Sequence, residues 1–131
     1  MSFATVVNCM DGRVQMPVLD FLMRRFGAEH IDVVTEPGPA GFFNDVAAPR
    51  VPSILERIEI SRNAHGSRKL AFVAHHDCAG NPVTPDEQRR QAVSAANALA
   101  TLFPDMEVVA LWVGEDWVCS EIHAVEPAES S

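Results

Sequence analysis

A three-layer α/β sandwich, with helices on both faces of a mostly parallel sheet, is the fold class this sequence predicts. Short apolar, β-branched runs bounded by turn residues recur along the chain, and each of the first three is followed by a stretch with helical periodicity. Strands alternating with helices at this rhythm form parallel βαβ units with right-handed crossovers. The length, 131 residues, fits one domain, and no interior stretch rich in Gly, Pro and Ser separates two cores.

Residues 2–9 are rich in β-formers and continuous in apolar character, as in a strand covered on both faces. Pro17 suits the first turn of a helix to Phe26, with Val18, Leu19, Leu22, Met23 and Phe26 at spacings of three and four and Gly27 just past the end. Residues 31–35 form a second β-branched run. Two prolines and two glycines within residues 36–41 stop it, so a loop follows. From about Val51 to Ala64, Ile54, Leu55, Ile58 and Ser61 share one helical face that ends at His65-Gly66, which predicts a crossover helix. Residues 70–75 read as the third strand. Thr84-Pro85-Asp86-Glu87 has capping-box spacing and opens a helix to about Phe103, whose small face (Ala92, Ala95, Ala96, Leu99) suits close packing. Residues 107–113 are a fourth strand, and residues 118–125 are compatible with a fifth at the sheet edge. The expected domain is 1–125, with residues 126–131 a fraying tail.

Composition excludes several function classes. Ten Lys and Arg against eighteen Asp and Glu give a formal charge of −8, which disfavours nucleic acid or an anionic membrane surface as the main partner. Apolar runs such as residues 70–74 fall far short of the roughly 20 residues of a membrane span. The opening residues carry no basic segment, apolar signal core or cleavage site, so the expected address is cytoplasmic. Cys9, Cys78 and Cys119 have no compact disulfide spacing; in a cytosolic chain they read as metal ligands, catalytic thiols or buried small hydrophobes.

Two clusters carry the chemistry: Cys9-Met10-Asp11-Gly12-Arg13 and His75-His76-Asp77-Cys78. Each begins at the carboxyl end of an expected strand, where open parallel sheets gather their ligands. Two thiolates and one imidazole suit zinc, with a fourth tetrahedral position for water or a carboxylate. His75, three residues before Cys78, can turn back toward a shared ion; His76, two before it, points differently. Asp11 can fill the fourth position or accept a hydrogen bond from bound water, with Arg13 holding its carboxylate. Blander readings stand beside these. Asp11 and Arg13 can be a structural ion pair, and Cys119, beside Trp117 and Val118, reads as packing. His30 and His65 read as solvated helix exits, and His76 as a surface or supporting group that could instead shuttle protons. Arg24-Arg25 and Arg89-Arg90 read as decoration of solvated helix faces. Residues 37–41 lack a phosphate-loop signature, and Arg13 follows Cys9 too closely for a phosphate-cradling Cys-x5-Arg loop.

Cys-x-Asp-x-Arg after the first strand and His-x-x-Cys after the third resemble the β-class carbonic anhydrases, and the order of strands and helices extends that resemblance over roughly the whole chain. It implies that Cys9, His75 and Cys78 bind Zn2+, and that zinc-bound hydroxide attacks carbon dioxide to give bicarbonate. Asp11 either orients the hydroxide or occupies the fourth position in a resting form that opens when it swings to Arg13. A homodimer or higher homo-oligomer is implied as well. The sequence departs from the family pattern at Gly12, where Ser is usual, at Ala79, where Gly is usual, and at Thr35-Glu36-Pro37-Gly38, which places the acid Glu36 where a cation is common. Only eight residues precede Cys9, so the helical arm that usually precedes the first motif is not expected here. Alternatives on the same fold are a non-catalytic zinc domain, structural or regulatory, and a hydrolase of a related small electrophile.

Overall fold

The computed structural model describes residues 2–45 and 47–128. Five strands, β1 (Phe3–Cys9), β2 (His30–Glu36), β3 (Lys69–His75), β4 (Glu107–Val113) and β5 (Cys119–Val125), form one sheet in the order β2-β1-β3-β4-β5. The first four run parallel, and β5 closes the sheet antiparallel to β4. Three helices, α1 (Gln15–Phe26), α2 (Val51–Ala64) and α3 (Pro85–Leu102), complete the layers. All four expected strands, the fifth at the edge and the three helices are present.

Alternation along the strands divides the core in two. Val7, Leu70, Phe72 and Val108 point toward Ile54 and Ile58 of α2 and the small face of α3. Val6, Ala71, Val73 and Val109 point the other way, onto Val14 and onto Val18, Leu22 and Phe26 of α1. The central strands are therefore buried on both faces, which is why their sequences are continuously apolar. β2, at the edge, buries only Val34.

Local signals explain the helix ends. Asp11 caps a 3-10 turn, Gly12–Val14, by accepting from the Arg13 N–H at 2.9 Å, and that turn leads into α1 two residues before Pro17. Gly27 closes α1 at φ 63°. Thr84 Oγ1 accepts the Glu87 N–H at 3.2 Å and starts α3. The chain leaves β1 for β2 on one side, then crosses over through α2 to β3 on the other. The carboxyl ends of β1 and β3 thus form the switch point of the sheet, and their last residues are Cys9 and His75.

Several surface expectations are corrected. His30 lies not at a helix exit but at the start of β2, its ring 4.9 Å from Phe3. His65 does end α2, yet its ring stacks on Phe3 at 4.2 Å and its Nδ1 lies 2.6 Å from Asp32. Arg25 is no solvated decoration: it donates to Glu107 at 2.8 Å and Glu121 at 2.7 Å, tying α1 to β4 and β5. Arg24, by contrast, pairs with Asp20 on an exposed face. Arg89 and Arg90 pair with Asp86 and Glu87 within α3, and the Arg89 guanidinium also lies over the Trp112 ring. Cys119 packs at the edge of the α1-side core, and burial pushes its thiol up to about 12. In the tail, the Ala128 N–H donates to the Pro104 carbonyl at 2.7 Å; residues 129–131 lie outside the described residues. Among the described residues, no helix is long and apolar enough to cross a membrane.

Candidate metal centre

The turn after β1 is braced by side chains. Asn8 accepts the Cys9 N–H at 2.9 Å and donates to the Val14 carbonyl at 3.3 Å. Gln15 Nε2 donates to the carbonyls of Cys9 at 2.8 Å and Asp11 at 2.7 Å. After β3, the His76 N–H donates to the Val113 carbonyl and Asp77 turns the chain at φ 57°. The loops after β2 and β3 touch through two glycines: a Cβ on Gly38 would lie 2.6 Å from the Gly80 carbonyl carbon, and one on Gly80 2.7 Å from that of Pro37. This approach brings the Gly38 N–H to 3.4 Å from Cys9 Sγ.

Cys9, His75 and Cys78 converge, each with a ligand atom within 4.8 Å of the other two, and they are 5%, 1% and 4% exposed. The sulfurs stand 3.8 Å apart. That is far beyond the roughly 2.05 Å of a disulfide. It equals the edge of about 3.8 Å that two thiolates span when each lies about 2.3 Å from one tetrahedral zinc. His75 Nδ1 lies 2.7 Å from the His76 carbonyl, to which it donates, so the free lone pair belongs to Nε2. Nε2 is buried without a hydrogen-bond partner. An orphaned buried polar atom costs about 1–3 kcal/mol, and a metal ion between the sulfurs and this nitrogen removes that cost. The donor set therefore fits zinc.

The Cys78 thiol donates to Cys9, the Asp11 and Gly38 amides add to that bond, and together they pull Cys9 down to about 4 against the opposing effect of burial. The neighbouring Cys9 sulfur and burial push the Cys78 thiol up.

Asp11 meets Arg13 in a two-point pair, Nε to Oδ1 at 3.1 Å and Nη2 to Oδ2 at 2.7 Å. Arg13 pulls the carboxyl down to about 2. Asp11 is paired with Arg13, and among the described residues the converged donors are Cys9, His75 and Cys78. Glu36 is answered by α2: Arg57 Nη2 lies 2.5 Å and Arg50 Nε 4.0 Å from its carboxylate. His76 lines a cavity of 320 Å³ together with His75, Cys78, Pro82, Val83 and Trp112. Gly12 stands in open space, and the close contact falls on Gly80, one residue past Ala79.

Sequence reading missed Gln15, Asp77 and Trp117. Gln15 follows Asp11 by one helical turn, and Asp77 stands inside the second cluster, so both carried a faint local signal. Trp117, whose ring centroid is 4.4 Å from the Arg13 guanidinium carbon, reaches the site from the β4–β5 turn and carried none.

A sheet of this order with a buried Cys-His-Cys cluster at its switch point defines a protein of the β-carbonic anhydrase fold. The structure superposes on a carbonic anhydrase from Glaciozyma antarctica with a TM-score of 0.65 at 14% identity, covering 92% of this chain and 81% of that one. It superposes on one of two tetrameric beta-carbonic anhydrases from Sordaria macrospora with a TM-score of 0.63 at 10% identity, covering 95% and 83%. At these identities the likeness is one of fold. The chain belongs to the family described as "Putative carbonic anhydrase", whose sequence profile matches residues 1–123. Uncharacterized protein RC0076 of Rickettsia conorii is 24% identical over 134 residues, covering 92% of this chain and 72% of that protein.

Proposed function

We propose that this chain is a zinc-dependent carbonic anhydrase-like enzyme that reversibly hydrates carbon dioxide to bicarbonate. Residues 1–125 act as one zinc-binding domain in the cytoplasm, assembled as a homodimer or higher homo-oligomer. Cys9, His75 and Cys78 hold Zn2+, and Asp11 and Arg13 serve the reaction. The observation that carries this reading is the orphaned, buried Nε2 of His75 beside two sulfurs at a zinc-compatible separation. Zinc in such a donor set lowers the pKa of water to about 7. Asp11, ionised and fixed by Arg13, accepts a hydrogen bond from the attacking water at its carboxylate and so orients it toward the substrate. Because its carboxyl titrates near 2, it remains an acceptor throughout the neutral range. The apolar side chains of Pro82, Val83 and Trp112 beside His75 and Cys78 suit a small uncharged electrophile.

Stopped-flow carbon dioxide hydration by zinc-loaded protein, with Cys9→Ala as background, tests the activity. A rate well above that control is expected. Full zinc occupancy with no rate would refute it and favour a related electrophile or a structural zinc domain; the second reading draws on the near-complete burial of all three ligands. Sedimentation equilibrium tests the assembly, where a monomer at all concentrations refutes it.

A further inference from the structure

Among the described residues, two that are not glycine adopt positive φ, Asp77 at 57° and Trp117 at 59°. This backbone conformation is unfavourable for a side chain as large as Trp, so the surroundings must enforce it. The two belong to different turns, one after β3 and one between β4 and β5, yet both lie against Arg13. Arg13 Nη1 is 3.3 Å from Asp77 Oδ2, and Nη2 is 3.1 Å from the Asp77 carbonyl. The turned backbone at Asp77 presents its carbonyl and its carboxylate to the same guanidinium. The Trp117 ring covers one flat face of that guanidinium, its centroid 4.4 Å from the carbon. A tight turn holds Trp117, whose N–H donates to the Gly114 carbonyl at 2.9 Å, and its ring packs at the edge of the α1-side core. Asp11 occupies the remaining edge of Arg13.

An ion pair with this much exposure does not by itself fix a geometry; half of the Arg13 side chain faces solvent. A planar group with two edges hydrogen-bonded and one face stacked has lost its rotational freedom. We propose that Asp77 and Trp117 are positioning residues that lock Arg13 onto Asp11 and thereby keep the Asp11 carboxylate away from the fourth position of the Cys9, His75 and Cys78 site. The lock itself is independent of metal; its consequence rests on the zinc reading above.

The test uses Trp117→Ala, Trp117→Phe, which restores a π face, and Asp77→Gly, which keeps the positive φ while removing the carboxylate. In metal-free protein, solvent exchange of the Arg13 Nε–H followed by NMR reads the lock directly. Exchange accelerates at least about tenfold in Trp117→Ala and Asp77→Gly and returns toward wild type in Trp117→Phe. Unchanged exchange in both disrupting variants overturns the proposal. With cobalt(II) in the site, thiocyanate titration of the visible spectrum reads the open position. Release of Asp11 weakens thiocyanate binding by about tenfold in Trp117→Ala, and adding Asp11→Asn restores it. Accelerated exchange with unaltered thiocyanate binding overturns the claim that the lock guards that position. Wild-type protein that takes up no cobalt refutes the metal reading, while the exchange measurement still decides the lock. Should Trp117→Ala fail to fold, Asp77→Gly carries both readouts.

Discussion

Gly80→Ala strikes the contact through which the loops after β2 and β3 hold the cluster together. The new Cβ would meet the Pro37 carbonyl carbon at 2.7 Å and the Gly38 nitrogen at 2.9 Å, both backbone atoms that no rotamer change can move aside. Ordinary contact begins at 3.4 Å, so the loops must part by about 0.7 Å. The Gly38 N–H already lies 3.4 Å from Cys9 Sγ, and that displacement breaks the bond. Overpacking of this kind costs about 1–3 kcal/mol. In a chain of this length that lowers Tm by about 4–12 °C. Loss of an outer contact to a metal ligand weakens metal binding by at least about tenfold. Thermal melts of metal-free protein and competitive chelator titration of zinc measure the two effects. Gly12→Ala is the control: nothing lies within 4 Å of its Cβ, and the change is expected within about 0.5 kcal/mol of wild type. If Gly80→Ala matches Gly12→Ala in both measurements, the glycine contact does not support the site and the reasoning fails.

Three further outcomes follow from the same coordinates. Cys78→Ser is expected to abolish stoichiometric zinc by elemental analysis while Cys119→Ser leaves it intact; equal zinc loss in both would remove the cluster from the site. Arg25→Ala strips Glu107 of its main partner and is expected to cost about 1–2 kcal/mol at neutral pH, read by urea melts. Arg25 and Lys69 together hold Glu107 below its usual pKa against the opposing effect of burial, so the pair's contribution is full above the ordinary Glu value of about 4.3 and is lost as pH falls through the depressed folded value. The gap between variant and wild type should therefore narrow on strong acidification, and a gap that widens contradicts the pairing. Thr84→Ala removes the cap of α3 and is expected to cost about 0.5–2 kcal/mol, with a neutral result showing that the Thr84–Glu87 bond is dispensable.

The strands and helices were legible because their signals are local. A continuous apolar run marked β1 as covered on both faces, similar short runs marked β3 and β4 as strands, and the Thr84 cap, Gly27 and Gly66 marked helix ends through chemistry within a few residues. The cluster that could hold a metal was legible as well, since the Cys9 and Cys78 motifs each sit on one turn at the end of one strand. Arg25 was misread, and the Asp32 partner of the exposed His65 was missed, for the converse reason: their helices show only a polar face or end, and the folded sheet brings Glu107, Glu121 and Asp32 to meet them.

The sequence by itself determined the element order, the apolar face of each helix and the residue types offered to a metal, because periodicity and capping are enforced within one or two turns of chain. The tertiary structure alone decided that Asp77 and Trp117 close on Arg13, that Gly38 and Gly80 meet, and that Cys9, His75 and Cys78 converge while His75 Nε2 is buried without a partner. Those contacts join segments far apart in the chain. They depend on which strands become neighbours and how closely their loops approach, and no local pattern of residues records either.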